Sequence, residues 1–349
     1  MEKGNPIEEA KSFFKEHLSK GRILQFEEIK FEIDDEDFIP YHRLLKRWYE
    51  TVLQFNFLPK NLSQLEEVFI HGPMELILKG AMTEERFELD ITKQDLDLSF
   101  EILVLKNNLT WNYSEPFVSF YTIISNVEVR VTLIHHSAST DNISKMFIRV
   151  LNSEVIPIST YSANSIFFKE LVSEKKNILV SGATGSGKTT FINSLLAEVS
   201  ENEHTIIIED TKELISPNNY TTKLLTDKNN PNKSMNQYLS YALRMSPERI
   251  ILGEVRSKEV ESCLLAMNTG HNGFLTTIHA NSASDALQRL ALLFKIYSNK
   301  ELSFELILKL ITSNIDYVIH LEDKKISQVI EVFGSNQENL FFEAVDLLD

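Results

Sequence analysis

The feature that most constrains the fold of this chain is a glycine-rich segment placed between a strand pattern and a helix pattern. Residues 177–180, Asn-Ile-Leu-Val, are typical of a short buried strand, and residues 191–196 carry apolar side chains at helical spacing. Between them, Gly182 through Thr189 match the pattern G-x-x-x-x-G-K-[ST] at every position. A strand, a glycine loop and a helix in this order predict a parallel β-sheet covered by helices.

The residue types in this loop suit the binding of phosphate groups. Glycines allow backbone N–H groups to turn inward around phosphate oxygens at the start of a helix, where the helix dipole also favours an anion. Lys188 would reach the β- and γ-phosphates of a nucleotide, and the Thr189 hydroxyl would ligate Mg²⁺. The strand before the loop and the helix after it disfavour the alternative, an ordinary glycine-rich turn. The residues predicted to bind nucleotide are Gly182, Ala183, Thr184, Gly185, Ser186, Gly187, Lys188, Thr189 and Thr190.

Two later strand patterns end in acidic residues. Residues 205–208 are followed by Glu209, and residues 249–252 are followed by Gly253 and then Glu254. In doubly wound sheets such strand ends meet at the edge where ligands bind. Nucleotide hydrolysis needs an acid near Mg²⁺ and a base that orients the attacking water. Exposure at a strand end would explain either acid alone, but a phosphate-binding loop upstream favours the functional interpretation.

A histidine follows a third strand pattern. Residues 274–278 read Phe-Leu-Thr-Thr-Ile and are followed directly by His279. A neutral imidazole at that strand end could contact the γ-phosphate or the attacking water. A purely structural histidine is the alternative, and the local pattern favours His279 over His271 as the functional one.

The pattern of the chain changes near its middle. The first half opens with helical stretches, of which Tyr41 to Phe55 is the clearest, and continues with short β-branched or aromatic runs from Glu67 to Ile134. A polar, aperiodic segment follows, and beyond it strand and helix patterns alternate. The prediction is an N-terminal α+β domain at 1–150, a linker at 151–164 and an α/β domain at 165–349.

Composition excludes several classes of protein. The 349 residues carry 35 basic and 50 acidic side chains, a formal charge of −15, which argues against broad binding to nucleic acid or anionic lipid. The single cysteine, Cys263, can form neither an internal disulfide nor a four-cysteine zinc site. No apolar window reaches the length of a membrane span, so a cytoplasmic protein with only peripheral membrane contact is expected.

The region from Ile178 to Leu290 resembles the secretion ATPase superfamily, the hexameric ATPases of type II and type IV secretion, type IV pili and archaella. The segment IIIEDTKEL resembles its Asp box and implies that Glu209 is the general base. The segment ALRMSPERIILGEVR resembles its Walker B region, which implies that Glu254 lies near Mg²⁺ and that Arg256 completes the G-E-x-R signature. The segment around His279 resembles its His box, which implies a γ-phosphate or conformational sensor.

Within that superfamily, Tyr241 to Leu290 looks most like the CpaF subgroup, which powers tight-adherence (Flp-type) pili, with the VirB-type ATPases close behind. Branches that carry a four-cysteine zinc motif do not fit a chain with one cysteine. In the divergent N-terminal half, Arg130 and Arg149 align with arginines that reach the nucleotide phosphates in relatives. Two surface arginines on a solvated sheet are the alternative interpretation.

The resemblance implies a C-terminal RecA-like P-loop domain with a smaller, PAS-like N-terminal α+β domain. It also implies ATP and Mg²⁺ as cofactors, a homohexamer, and docking to an inner-membrane platform protein of a pilus or secretion machine. The expected function is an ATP-driven motor, peripherally associated with the inner membrane from the cytoplasm, with no nucleic acid partner. Two alternatives remain open: a nucleotide-gated assembly scaffold with little hydrolysis, and a RecA-like DNA translocase.

Overall fold

The computed structural model describes residues 6–32, 35–80, 83–151, 155–227, 230–298, 300–336 and 339–347. By contacts, the chain divides into two compact units, Met1–Asn152 and Ser153–Asp349. Residues 152–154 of the predicted linker lie outside the described residues, and the predicted domain boundaries stay a prediction.

Unit 1 combines a helical layer with one antiparallel sheet. The sheet has the strand order β3-β2-β1-β6-β5-β4. One apolar core forms where Phe100 and its helical neighbours pack on buried strand residues such as Val68 and Val131, and a second forms around Phe14 and Val52 of two helices. The helices are α1 (Pro6–Ser19), α2 (Phe26–Glu32), α3 (Asp35–Gln54) and α4 (Lys93–Lys106), and the strands are β1 (Glu67–Ile70), β2 (Leu76–Lys79), β3 (Glu84–Phe87), β4 (Phe117–Ile124), β5 (Val127–Ile134) and β6 (Lys145–Val150).

Unit 2 is an eight-stranded sheet with helices on both faces. Its helices are α5 (Ser165–Ser173), α6 (Lys188–Leu196), α7 (Met235–Ala242), α8 (Glu259–Asn268), α9 (Ala283–Tyr297) and α10 (Phe304–Thr312). Its strands are β7 (Ile178–Gly182), β8 (Thr205–Glu209), β9 (Thr221–Leu225), β10 (Arg249–Leu252), β11 (Leu275–Ile278), β12 (Tyr317–Glu322), β13 (Lys325–Asn336) and β14 (Asn339–Ala344).

The strand order in this sheet is β14-β13-β12-β7-β11-β10-β8-β9. The six strands from β12 to β9 pair in parallel, as the alternating strand and helix patterns predict. Strands β7, β8, β10 and β11 are buried at every position, which is why apolar and β-branched residues dominate them without the alternation of a half-exposed strand. Strands β13 and β14 extend the sheet antiparallel to β12, and the sequence patterns did not predict them.

Alternate residues of the central strands enter two separate cores. Leu179, Ile206 and Ile250 contact helices α7 to α10 on one face, while residues such as Val180 and Ile207 contact α5 and α6 on the other. Strand β9 is the outermost parallel strand and pairs with β8. Both faces of the central strands are therefore covered, and only the strand ends remain for ligands.

The amino-terminal edge of this sheet is closed by a fully buried arginine. Arg249 is 0% exposed. Its guanidinium donates to Glu203 Oε2 at 3.0 Å, to the Gly273 carbonyl at 3.1 Å and to the Val172 carbonyl at 2.7 Å. A Cβ on Gly273, which has φ +81°, would lie 2.7 Å from Arg249 Nη1. A side chain at position 273 would therefore clash with the Arg249 guanidinium, so this position requires glycine.

We expect Arg249→Ala to lower the free energy of unfolding of unit 2 by about 3–5 kcal/mol, because it removes three buried hydrogen bonds, one of them to the Glu203 carboxylate, and leaves a cavity where the side chain was. Urea unfolding followed by circular dichroism measures the change. Arg289→Ala, on the exposed side of α9, is the matched control and should shift stability by less than about 0.5 kcal/mol. Equal stability of the two variants would contradict the proposed role of Arg249.

Candidate nucleotide-binding site

The predicted site residues of unit 2 lie at one edge of the sheet. Strands β8, β10, β11 and β7 are consecutive neighbours and run parallel. Their carboxyl ends therefore bring together Glu209, Glu254, His279 and the glycine-rich loop that follows β7. This is the edge of a parallel α/β sheet at which ligands bind.

The glycine-rich loop requires glycine at its bends. Gly182, Gly185 and Gly187 have φ values of +151°, +78° and +91°, which side chains rarely adopt. A Cβ on Gly182 would also lie 2.5 Å from the Leu321 carbonyl oxygen. The loop ends at Gly187, the N-cap of α6, so its backbone curls at a helix N-terminus as a phosphate site requires.

Lys188 begins α6 and turns back into the loop. Its ammonium donates to the carbonyls of Gly182 and Ala183 at 2.9 and 2.8 Å and to His279 Nδ1 at 3.2 Å. Burial lowers the pKa of Lys188, and the carboxylates of Glu254 and Glu213 partly offset this effect. The lysine is therefore a buried cation held by weak neutral acceptors, and phosphate oxygens would be stronger acceptors.

His279 connects this lysine to the acid after β10. Since an ammonium group can only donate, Nδ1 accepts from Lys188, and the proton of the neutral ring lies on Nε2. Nε2 is 3.1 Å from Glu254 Oε1. Burial lowers the pKa of His279, although the Glu254 carboxylate acts in the opposite direction. The ring is therefore placed to respond to both Lys188 and Glu254.

Arg256 extends the chain of contacts to the strand next to β10. It donates to Glu254 Oε2 at 2.7 Å and to Asp210 Oδ2 at 3.1 Å. The hydrogen bond with Glu254 raises the pKa of Arg256, and the Asp210 charge adds to this. The G-E-x-R signature thus has a structural meaning, because its arginine ties the ends of β8 and β10 together.

Glu209 is buried and held by three donors. Oε2 accepts the backbone N–H groups of Glu213 and Leu214, each at 2.9 Å, and Oε1 lies 3.2 Å from Lys223 Nζ. Burial raises the pKa of Glu209, and these partners act against that rise. The carboxylate therefore organises residues 210–214 beside the site, while its predicted role as general base stays a prediction.

The chemistry of this edge fits a phosphate and magnesium ligand. Among the described residues, four buried side-chain polar atoms form no hydrogen bond, and two of them, Ser186 Oγ and Glu254 Oε1, belong to this site. Oε1 is within ion-pair distance of His279 but is not aligned for a hydrogen bond. Thr189 is half-buried in the first turn of α6. Because Mg²⁺ binds through one or two protein oxygens, phosphates and waters, Thr189 and Glu254 are suitable ligands.

Within the described part of the chain, this edge of the sheet included, no group of three or more histidines, cysteines or acids could hold a metal ion by itself. The free thiol of Cys263 is buried. No helix within the described ranges is both long and apolar enough to cross a membrane.

Arg130 and Arg149 belong to unit 1. They are directly opposite each other across the β5–β6 pair, so both project from the same face of the sheet. Two guanidinium groups side by side suit an anionic ligand. Their predicted contact with nucleotide phosphates stays a prediction.

Sequence reasoning missed two charged residues of the site. Lys223 on β9 pairs with Glu209, and the Glu213 carboxylate acts on Lys188. Glu213 was visible in the sequence as the third acid of the run that starts at Glu209. Lys223 gave no signal, because only the pairing of β9 with β8 brings it close.

Fold and site together define a P-loop nucleotide-binding domain of the RecA-like class. Residues 119–338 match the family model described as Type II/IV secretion system protein. The match covers well over half of the chain, and the protein therefore belongs to this family. The finer resemblance to the CpaF subgroup stays a prediction.

Curated relatives are similar over parts of their length. The type IV secretion system protein VirB11 of Bartonella quintana is 32% identical over 228 residues, which cover 64% of this chain and 58% of that protein. The conjugal transfer protein TrbB of Rhizobium radiobacter is 32% identical over 201 residues, which cover 54% of this chain and 60% of that protein. PtlH of Bordetella pertussis is 40% identical over 162 residues, which cover 45% of this chain and 48% of that protein. The chain thus spans 60% or less of the length of these relatives.

Solved structures support the fold. The pilus retraction motor PilT with bound ADP superposes with a TM-score of 0.58 at 20% identity, covering 80% of this chain and 79% of PilT. The Legionella pneumophila ATPase DotB gives a TM-score of 0.59 at 17% identity, covering 82% of this chain and 76% of DotB. At these identities the likeness establishes the architecture alone.

The environment of His279 predicts a pH dependence of stability. Because its pKa is lowered from the 6.5 of an exposed imidazole, the unfolded chain takes up this proton at higher pH than the folded protein. The contribution to stability is therefore complete above about pH 6.5 and is lost as the pH falls through the folded-state pKa. We expect the stability advantage of the parent over His279→Gln to shrink between pH 7 and pH 5 in thermal unfolding.

His271→Gln is the matched control, because it removes one imidazole outside this chain of contacts. Should the two variants follow the same pH course, the site would not be the origin of the effect.

Proposed function

We propose that the protein is a Mg²⁺-dependent ATPase that drives a pilus or secretion machine. The observation that carries the proposal is the continuous line of contacts from Lys188 through His279 and Glu254 to Arg256 and Asp210. It starts at a loop with phosphate-binding geometry after β7 and ends after β8, three strands away. Through these contacts, binding of phosphate at the loop can change the hydrogen bonds of residues at the other end of the line.

The first step is binding of the triphosphate at the N-terminus of α6. Lys188 would exchange the carbonyls of Gly182 and Ala183 for anionic phosphate oxygens, and the Ser186 hydroxyl would gain a partner. Moving Lys188 removes the donor to His279 Nδ1, which frees the ring to turn toward the γ-phosphate or the attacking water. His279 would thereby act as a sensor of the phosphate site.

Hydrolysis requires the acids of β8 and β10. Glu254, with the Thr189 hydroxyl, would hold Mg²⁺, which when bound neutralises charge on the phosphoryl group. Arg256 would keep Glu254 oriented through its hydrogen bond. Glu209 would accept the proton of the attacking water, and the raised pKa that burial gives it suits that role. To do so it must exchange one of its three donors for the water.

We expect Lys188→Ala to lose nucleotide binding, and Glu254→Gln and Glu209→Gln to bind ATP but hydrolyse it at least about 100-fold more slowly. Phosphate release measures hydrolysis, and a fluorescent nucleotide measures binding. Glu248→Gln is the control. Glu248 is an exposed acid just before β10, at the end opposite Glu254, and its carboxylate accepts a hydrogen bond from the His204 backbone N–H.

Hydrolysis at the parent rate in Lys188→Ala or Glu254→Gln would overturn the proposal. A parent that binds ATP tightly but hydrolyses almost none of it would identify the alternative, a nucleotide-gated scaffold. If Glu209→Gln alone kept the parent rate, Glu209 would serve only to hold residues 210–214.

The working assembly we propose is a homohexamer docked on an inner-membrane platform protein from the cytoplasmic side. Support comes from the relatives, whose names place them in type IV secretion, conjugal transfer and pilus retraction. Movement of the N-terminal unit during the ATP cycle would be passed to the platform, in a tight-adherence pilus or a secretion system. With a net charge of −15, docking would depend on a protein partner rather than on anionic lipid.

The paired arginines of unit 1 would make hydrolysis depend on the position of that unit. We expect Arg149→Ala and Arg130→Ala to slow hydrolysis about 100-fold, since each removes a guanidinium from the charge that develops on the phosphoryl group. Arg86→Ala, which removes an arginine from β3 of the same sheet, is the control. Steady-state rates at saturating ATP give the answer, and rates like that of the control would assign both arginines to the sheet surface.

A further inference from the structure

The hairpin between β12 and β13 borders the phosphate-binding loop. Strand β12 pairs with β7 in parallel, with Leu321 opposite Gly182, and the Leu321 carbonyl closes on the loop backbone. Glu322 then pairs with Lys325, so Asp323 and Lys324 form a two-residue turn. The pairing of β12 with β7 therefore places this turn beyond the end of β7, beside the phosphate-binding loop.

The conformation of this turn is unfavourable for its second residue. Asp323 and Lys324 have φ values of +47° and +63°, the pattern of a type I′ turn. Such turns favour glycine at the second position, because a Cβ is strained there. A lysine in that position weakens the turn locally. Residues held in strained conformations often have a functional reason to be there.

Lys324 contacts the loop at the residue before Lys188. A Cβ built on Gly187 would lie 3.6 Å from Lys324 Cα and 3.8 Å from its Cβ and Cγ. The stem of the lysine therefore runs beside Gly187, and the residue as a whole is exposed. Its four-carbon stem gives the ammonium group the reach to meet a ligand held by the loop.

The two lysines approach the loop from opposite sides. Lys188 turns toward His279, which follows β11, whereas Lys324 follows β12, and these two strands are the two neighbours of β7. Carboxylates lie on both sides: Glu254, Asp210 and Glu213 act on the cations of the β11 side, and Glu322 and Asp323 belong to the β12–β13 hairpin. A nucleotide with several negative charges would therefore gain from a further cation on the β12 side.

We propose that Lys324 is a second cationic ligand of the nucleotide, donating from Nζ to phosphate oxygens on the side of the loop opposite His279. The inference rests on the proposed nucleotide binding. It assigns a binding role to a hairpin that lies outside the glycine-rich, acidic and histidine segments recognised in the sequence.

The test compares Lys324→Gly with Lys325→Gly in the full chain. Lys324→Gly should raise or keep the melting temperature, because it relieves the turn, yet weaken binding of fluorescent ATP and ADP by at least about 10-fold, the value of a hydrogen bond to a charged group. Lys324→Arg should retain most of the affinity. Lys325→Gly removes a neighbouring exposed lysine from β13 and should leave affinity unchanged.

Three outcomes would overturn the inference. If Lys324→Gly binds nucleotide as tightly as the parent while Lys188→Ala does not, Lys324 is only a turn residue and the proposed function stands. If the parent itself binds no nucleotide, both proposals fail together. The third outcome is tested with inorganic tripolyphosphate as competitor. If Lys324→Gly weakens the binding of ATP but not of tripolyphosphate, Lys324 contacts the base or sugar instead of the phosphates.

Discussion

The site depends on how strand β7 is held between two parallel neighbours. Ser181 near its end is level with Ile278 of β11 on one side and with His320 of β12 on the other. This register places His279 and the β12–β13 turn at the same height as the loop, on its two flanks. A slip of two residues in either pairing would move one flank by about 6–7 Å, and neither the histidine nor the turn would reach the loop.

Burial shifts the pKa values of the titratable residues at this edge. It lowers the pKa of Lys188 and His279 and raises that of Glu209, so each group is less stable as an ion than it would be in water. Hydrogen bonds and neighbouring charges compensate these costs through the line of contacts described above. A ligand that brings its own charge changes the balance for every member of the line.

Much of this arrangement could be predicted from sequence because it depends on local patterns. Strands β7, β8, β10 and β11 are short runs rich in apolar and β-branched residues, and the glycine-rich loop, Glu209, Glu254 and His279 lie at or just after their carboxyl ends. The pairing of Lys223 with Glu209 and the approach of Lys324 to Gly187 could not be predicted, because both depend on which strands become neighbours. Strands β13 and β14 were missed for a different reason: β13 is a local hairpin partner of β12, but its turn is formed by Asp323 and Lys324 and not by the glycine or asparagine residues that usually mark such a turn in a sequence.

The buried arginine at the amino-terminal edge has a consequence for how this domain can change over time. Arg249 and its partners secure one end of the strands without contacting the residues at the other end. The frame at the amino-terminal edge therefore does not depend on the residues at the ligand edge, about one strand length away. Exposed positions of that edge, such as Ala183 and Thr184, can change without disturbing this frame, whereas a buried position such as Glu209 cannot change so freely, because it also holds residues 210–214.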